Sequence, residues 1–153
     1  MTNPKLFIEQ FNTLQTLIGL DFGDKTIGIA ISDKTYTIAT PVKTIIRKGI
    51  KKDLTELIRL FDEYNVGGVV LGLPLSLNGE ENERTEKVRK FAKEIKENYN
   101  VEITFYDERY SSDVIYKELR KNSLSSSKIK KKINQLAAAY ILQGFLDNAR
   151  MIK

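Results

Sequence analysis

The sequence of 153 residues contains no cysteine and no histidine. Their absence excludes disulfides, thiolate nucleophiles, imidazole bases and the nitrogen or sulfur ligands that zinc and haem require. Any catalysis therefore falls to carboxylates, lysine, tyrosine, serine or threonine. Any bound metal is one that prefers oxygen, magnesium or manganese. No apolar run approaches the ~18 residues of a membrane span, and MTNPKLFIEQFNTLQ lacks the continuous apolar stretch of a signal peptide. The cytoplasm is the expected location, and no membrane partner is expected.

What is present fits one globular domain with a single core, at 41% hydrophobic and 29% charged residues. The net charge of +5 is unevenly placed. Between Lys117 and Lys132 stand seven cationic residues and one acid, Glu118. Such a segment is either a surface for a polyanion or a solvated lysine face.

TLIGLDF and TIGIAISD read as strands joined by a hairpin at Gly23-Asp24-Lys25. TYTIATPVKTII, residues 35–46, reads as a third strand, which Pro41 places at a sheet edge or at a bulge. Leu54, Leu57, Ile58, Phe61 and Tyr64 recur at helical spacing. VGGVVLGLP is a strand covered on both faces. A helix over 81–98 buries Val88, Phe91, Ala92 and Ile95, VEITFY is a strand, and Ser111-Ser112-Asp113 offers caps for a helix to about Lys121. NSLSSSK reads as a loop, and 128–148 as the final helix. Three strands in meander order followed by alternating helices and strands predict an α/β mixed sheet with helices packed on it. Phe7, Ile8, Phe11 and Leu14 in the N-terminal extension, residues 1–16, have helical spacing and suit docking on the domain or on a partner.

LIGLDFGDKTIGIAISD places a lone carboxylate, Asp21, at the end of an apolar strand. Buried and unpaired it would be costly, so a cation, a hydrogen-bond network or water must accompany it. Ligands of open sheets bind beyond the carboxyl ends of the strands. Glu108 stands at such a place too, after VEITFY in Asp107-Glu108-Arg109. Two acids so placed can share one divalent ion, the plainer alternative being that each caps a turn. The stretch 73–79 reads as a strand-to-helix turn. Glu80, Glu81 and Glu83 after it already complement the positive helix end, so no phosphate is expected there.

GLDFGDKTIGIAISD, VVLGLPLSLNG, YDERYSS and INQLAAAYILQGFLD, in this order and at fitting separations, resemble the signature blocks of the YqgF (RuvX) family of nucleases. The resemblance runs from Leu17 to Asp147. It implies a ribonuclease H-like domain over 17–150, antiparallel in its first three strands and parallel thereafter. It also implies phosphodiester hydrolysis with Mg2+ or Mn2+ held by acidic residues. Members are described as Holliday-junction resolvase homologues and as nucleases that mature the end of the small-subunit ribosomal RNA precursor. By position, Asp21 matches the first-strand aspartate and Glu108 the glutamate of the Asp-Glu-Arg block, and these are the implied metal ligands.

The third catalytic acid of the family pattern falls at Asn134, which keeps a carbonyl oxygen and loses the charge. Asp147 is too far along the same helix to replace it, about 20 Å at ~1.5 Å per residue. Asp33 is expected at the opposite rim, and Asp107 alternates away from Glu108. The serine loop from Ser125 feeding Lys128, Lys130, Lys131 and Lys132 is the expected grip on phosphates, with a log-log salt slope near −3 to −4 for ~4 contacts. Lys25 and Arg109 are expected to orient the scissile phosphate. Tyr110 suits core packing or stacking on a base.

The expected function is a nuclease on structured nucleic acid, with precursor ribosomal RNA as the first substrate and a monomer or weak homodimer as the state. One alternative is a nucleic-acid-binding protein whose cleavage is lost with the third acid. Another is resolution of DNA junctions, which requires two symmetric sites. Ile18 to Gly23 is also similar to the first phosphate motif of actin-like ATPases and sugar kinases, which close two such domains around a nucleotide.

Overall fold

The computed structural model describes residues 3–12, 14–108, 121 and 126–151, with side chains of the last helix from Lys132 onward. The elements are α1 (Pro4–Glu9), β1 (Thr16–Phe22), β2 (Thr26–Ser32), β3 (Ala39–Ile46), α2 (Ile50–Glu63), β4 (Val66–Leu73), α3 (Glu83–Asn98), β5 (Glu102–Asp107) and α4 (Ser126–Met151). They form one five-stranded sheet in the order β3-β2-β1-β4-β5. β1 pairs antiparallel with β2 and β2 with β3, whereas β4 runs parallel to both β1 and β5. This is the mixed sheet expected from the strand order.

Alternation along the strands divides the core in two. Ile18, Leu20, Ile27, Ile29, Val69 and Leu71 pack against Leu54, Leu57 and Phe61 of α2 and Val88 and Phe91 of α3. The other face carries Leu17, Ala30 and Val70 under Ala138, Ile141, Leu142 and Phe145 of α4. The small residues Ala137 and Ala138, both fully buried, let α4 lie close to the sheet. Phe7 of α1 closes the lower end of this second core, its ring 5.7 Å from that of Phe145. The N-terminal segment thus docks on the domain, although its helix stops at Glu9 and Leu14 is left exposed.

Three elements start two or more residues from the expected position. β3 starts at Ala39 rather than at residue 35, because the Asp33 carboxylate turns the chain. It accepts from the Thr37 and Ile38 amides at 2.8 and 3.1 Å and from Thr35 Oγ1 at 2.6 Å. α3 starts at Glu83 because Asn82 caps it, forming a capping box with Thr85. α4 starts at Ser126, so Ser126 and Ser127 belong to the helix rather than to the serine loop. Pro41 stands on the edge strand, opposite Ala30 where the β2–β3 register shifts, a place that needs no amide donor. The helix expected after Ser111 lies outside the described residues, apart from helical Lys121.

Candidate active site

Asp21 and Gly28 face each other across the β1–β2 ladder, so both present their side-chain direction to the α4 face. Glu108, just beyond β5, comes to the same face. Its amide donates to the Leu73 carbonyl at 3.2 Å, which carries the β4–β5 pairing one step past the sheet. Between them lies Gly72 of β4. A Cβ there would come within 2.8 Å of Glu108 Oε2, so the missing side chain provides the space that the Glu108 carboxyl occupies. The two acids, 87 positions apart, are thereby joined by a hydrogen bond.

The environment keeps a proton on this pair. Burial pushes the Asp21 carboxyl above its ordinary value, against the opposing effects of the Glu108 hydrogen bond and the Arg84 charge. Glu108 is pushed up to about 8, first by burial and then by the Asp21 charge and hydrogen bond. Arg84 pulls the Glu108 value down, and Asp107 adds slightly to the rise. Near neutral pH the two carboxyls therefore hold one proton between them. The folded protein binds this proton where the unfolded chain does not, so the stabilisation is fully present below about 4.5 and is lost as pH rises through about 8. Without divalent cations the melting temperature is expected to fall across that window, by the equivalent of at most about 5 kcal/mol. Thermal scans from acid to mildly alkaline pH check this.

Asn134 comes near the pair with its backbone. A Cβ on Gly28 would lie 1.9 Å from the Asn134 carbonyl oxygen, so α4 passes directly over the strand position that faces Asp21. A glycine inside a strand signals such an approach, although not what approaches. Gly28→Ala is expected to lift α4 from the sheet and to cost about 3 kcal/mol. A denaturant midpoint and near-UV spectrum measure that directly.

Asp33 has been accounted for as a turn residue at the far end of β2, its carboxyl held down because the hydrogen bonds from Thr35, Thr37 and Ile38 outweigh its partial burial. Asp147 pairs with Arg150 at 2.8 Å and with Gln143 at 2.9 Å. Among the described residues, no three acids come together. Lys25 is exposed in the turn after β1, and Lys132 is exposed on α4. Arg109, Tyr110 and the side chains of Lys128, Lys130 and Lys131 lie outside the described residues.

Two residues near the acids had no recognisable sequence signal. Arg47 holds the turn that follows Asp21. Its Nη1 donates to the Gly23 carbonyl at 3.2 Å, its Nε pairs with the buried Asp53 at 3.0 Å, and its guanidinium lies 4.5 Å from the Phe22 ring centre. Arg84, in the first turn of α3, is the cation whose charge reaches both acids.

The strand order and directions are those of a ribonuclease H-like fold. Thermus thermophilus RuvC in complex with Holliday junction substrate superposes on it with a TM-score of 0.55 at 15% identity, over 90% of this chain and 96% of that one. The family model described as "RuvX: Holliday junction resolvase" matches residues 15–148, and the chain belongs to that family. A protein of Paramagnetospirillum magneticum named "Putative pre-16S rRNA nuclease" is 42% identical over 95% of this chain and 94% of its own length. One of the same name from Clostridium botulinum is 44% identical over 86% of this chain and 96% of its own length. No helix among the described residues is long and apolar enough to cross a membrane.

Proposed function

We propose that the protein is a divalent-cation-dependent nuclease that cuts structured nucleic acid, with the 5′ end of precursor 16S ribosomal RNA as its substrate. The observation that carries this is the hydrogen-bonded pair Asp21 and Glu108, held at the carboxyl ends of β1 and β5. The donor set fits a hard cation. Two carboxyls forced together share a proton when alone, and a divalent ion that replaces the proton relieves both their repulsion and their burial. Asp21 and Glu108 would hold Mg2+ or Mn2+, and Asn134 would contribute neutral oxygen. A bound divalent ion supplies the charge that stabilises a phosphoryl oxygen and makes water a better nucleophile.

The chain's own residues do the rest. Burial of the two acids keeps bulk water from screening their charge, and Arg47 and Gly72 hold the turn and the space in which they meet. The lysine positions 128, 130, 131 and 132, at the start of α4, precede Asn134 by less than two turns and would grip the backbone, with Lys25 and Arg109 orienting the scissile phosphate.

The test is incubation of the purified protein with Mn2+ and a transcript bearing the 5′ leader and mature start of 16S ribosomal RNA. A cut at a single position supports the reading. A salt-sensitive complex with intact RNA supports instead a binding protein disarmed at Asn134. Resolution of a four-way DNA junction is the second reading, favoured by the description of the matching family. It needs two copies acting symmetrically, so cleavage of both junction strands by a dimer would select it.

A further inference from the structure

The approach to the acid pair has a second side, away from α4. There the first turn of α3 is tied to the end of β4 by Asn82. The Asn82 Oδ1 accepts from the amides of Arg84 and Thr85 at 2.8 and 3.1 Å. Its Nδ2 donates to the Pro74 carbonyl at 3.1 Å and to Ser76 Oγ at 2.9 Å. β4 lies between the strands that lead to Asp21 and Glu108, so Arg84 is positioned against both acids by rigid elements.

A cleft of about 90 Å³ opens between Phe22, Gly23, Asp24, Pro74, Arg84 and Lys87. Its two cations are not in the same state. Lys87 is held by Asp24 at 3.2 Å, whereas Arg84 is exposed and makes no ion pair among the described residues. The acids adjoining it in sequence do not take it, and Glu81 pairs with Arg89 instead. The Arg84 charge thus reaches two half-buried carboxyls without pairing with them, and its planar fork of donors is open to an anion entering the cleft.

We propose that Arg84 binds a phosphate of the nucleic-acid backbone in this cleft, opposite the lysine-rich start of α4. For its ligand the inference rests on the nuclease reading. The strand would then cross the carboxyl edge of the sheet between two cationic banks, with the acids midway. Three glutamates at the head of α3 conceal this site from a reading by local charge.

The experiment is a titration of the full chain with a structured RNA hairpin, without divalent cations, across roughly 50 to 200 mM KCl. Arg84→Ala is expected to reduce the log-log salt slope by about 0.7 to 0.9, the share of one phosphate, and to weaken binding at the lower salt. Arg84→Lys, which keeps the charge, retains the slope. Lys93→Ala, which removes an exposed charge from the middle of α3, leaves it unchanged. A wild-type slope in Arg84→Ala overturns the proposal, as does an equal reduction in Lys93→Ala. Asp21→Asn separates the two readings: unaltered cleavage by that variant would end the nuclease reading, and the slope decides Arg84 either way.

Discussion

Asp21→Asn is expected to abolish metal-dependent cleavage, with a loss on the order of a thousandfold or more. The substitution keeps the shape of the side chain and removes one unit of charge. At ~4 Å and an effective dielectric of ~20, the attraction between unit charges is about 4 kcal/mol, which corresponds to roughly three decades in rate or affinity. Folding should survive, because the amide oxygen of the introduced asparagine can still accept the hydrogen bond that protonated Glu108 donates. The pH-dependent loss of stability should shrink as well, since the Asp21 charge is the second cause of the raised Glu108 value. Single-turnover cleavage and thermal scans on the same preparation separate the chemical effect from the structural one. A variant that cuts at the wild-type rate would place the reaction elsewhere.

Asn134→Asp has the opposite sign. It restores a third carboxylate at the helix position that lies over Gly28, across the ladder from Asp21. By the same Coulomb argument, Mn2+ affinity or cleavage rate should rise by up to about a thousandfold. The metal-free protein should become less stable, because a third acid joins two that already retain a proton. Mn2+ should then raise its melting temperature by more than it raises that of the wild type. Calorimetric titration with Mn2+ and paired melting curves measure both halves. A metal-free stability equal to wild type with no gain in affinity would show that residue 134 lies outside the ion's reach.

The parts of the fold legible in the sequence are those whose signal is local. β4 is a continuous apolar run because helices cover both its faces, and β1 and β2 are marked by β-rich apolar segments on either side of a short glycine turn. The start of β3 was not legible. Thr35 to Ile38 has strand-like composition, but the Asp33 carboxylate engages three of those residues and turns the chain first. Asp21 and Glu108 could be singled out as charges at the ends of apolar strands. Their meeting depends on Gly72, whose missing side chain carries no charge or pattern to announce it. Arg84 was concealed for a related reason. Its role arises from where α3 docks on β4, which is a long-range consequence of the Asn82 cap, while its nearest neighbours in sequence are acids.

Crystals of the protein soaked in MnCl2 and measured at a wavelength where manganese scatters anomalously offer the most direct test of a cation site built from Asp21 and Glu108. An anomalous peak between those two carboxylates, absent from Asp21→Asn crystals treated identically, is the expected result. A flat map at that position, with the acids still sharing their proton and manganese bound elsewhere, would contradict it.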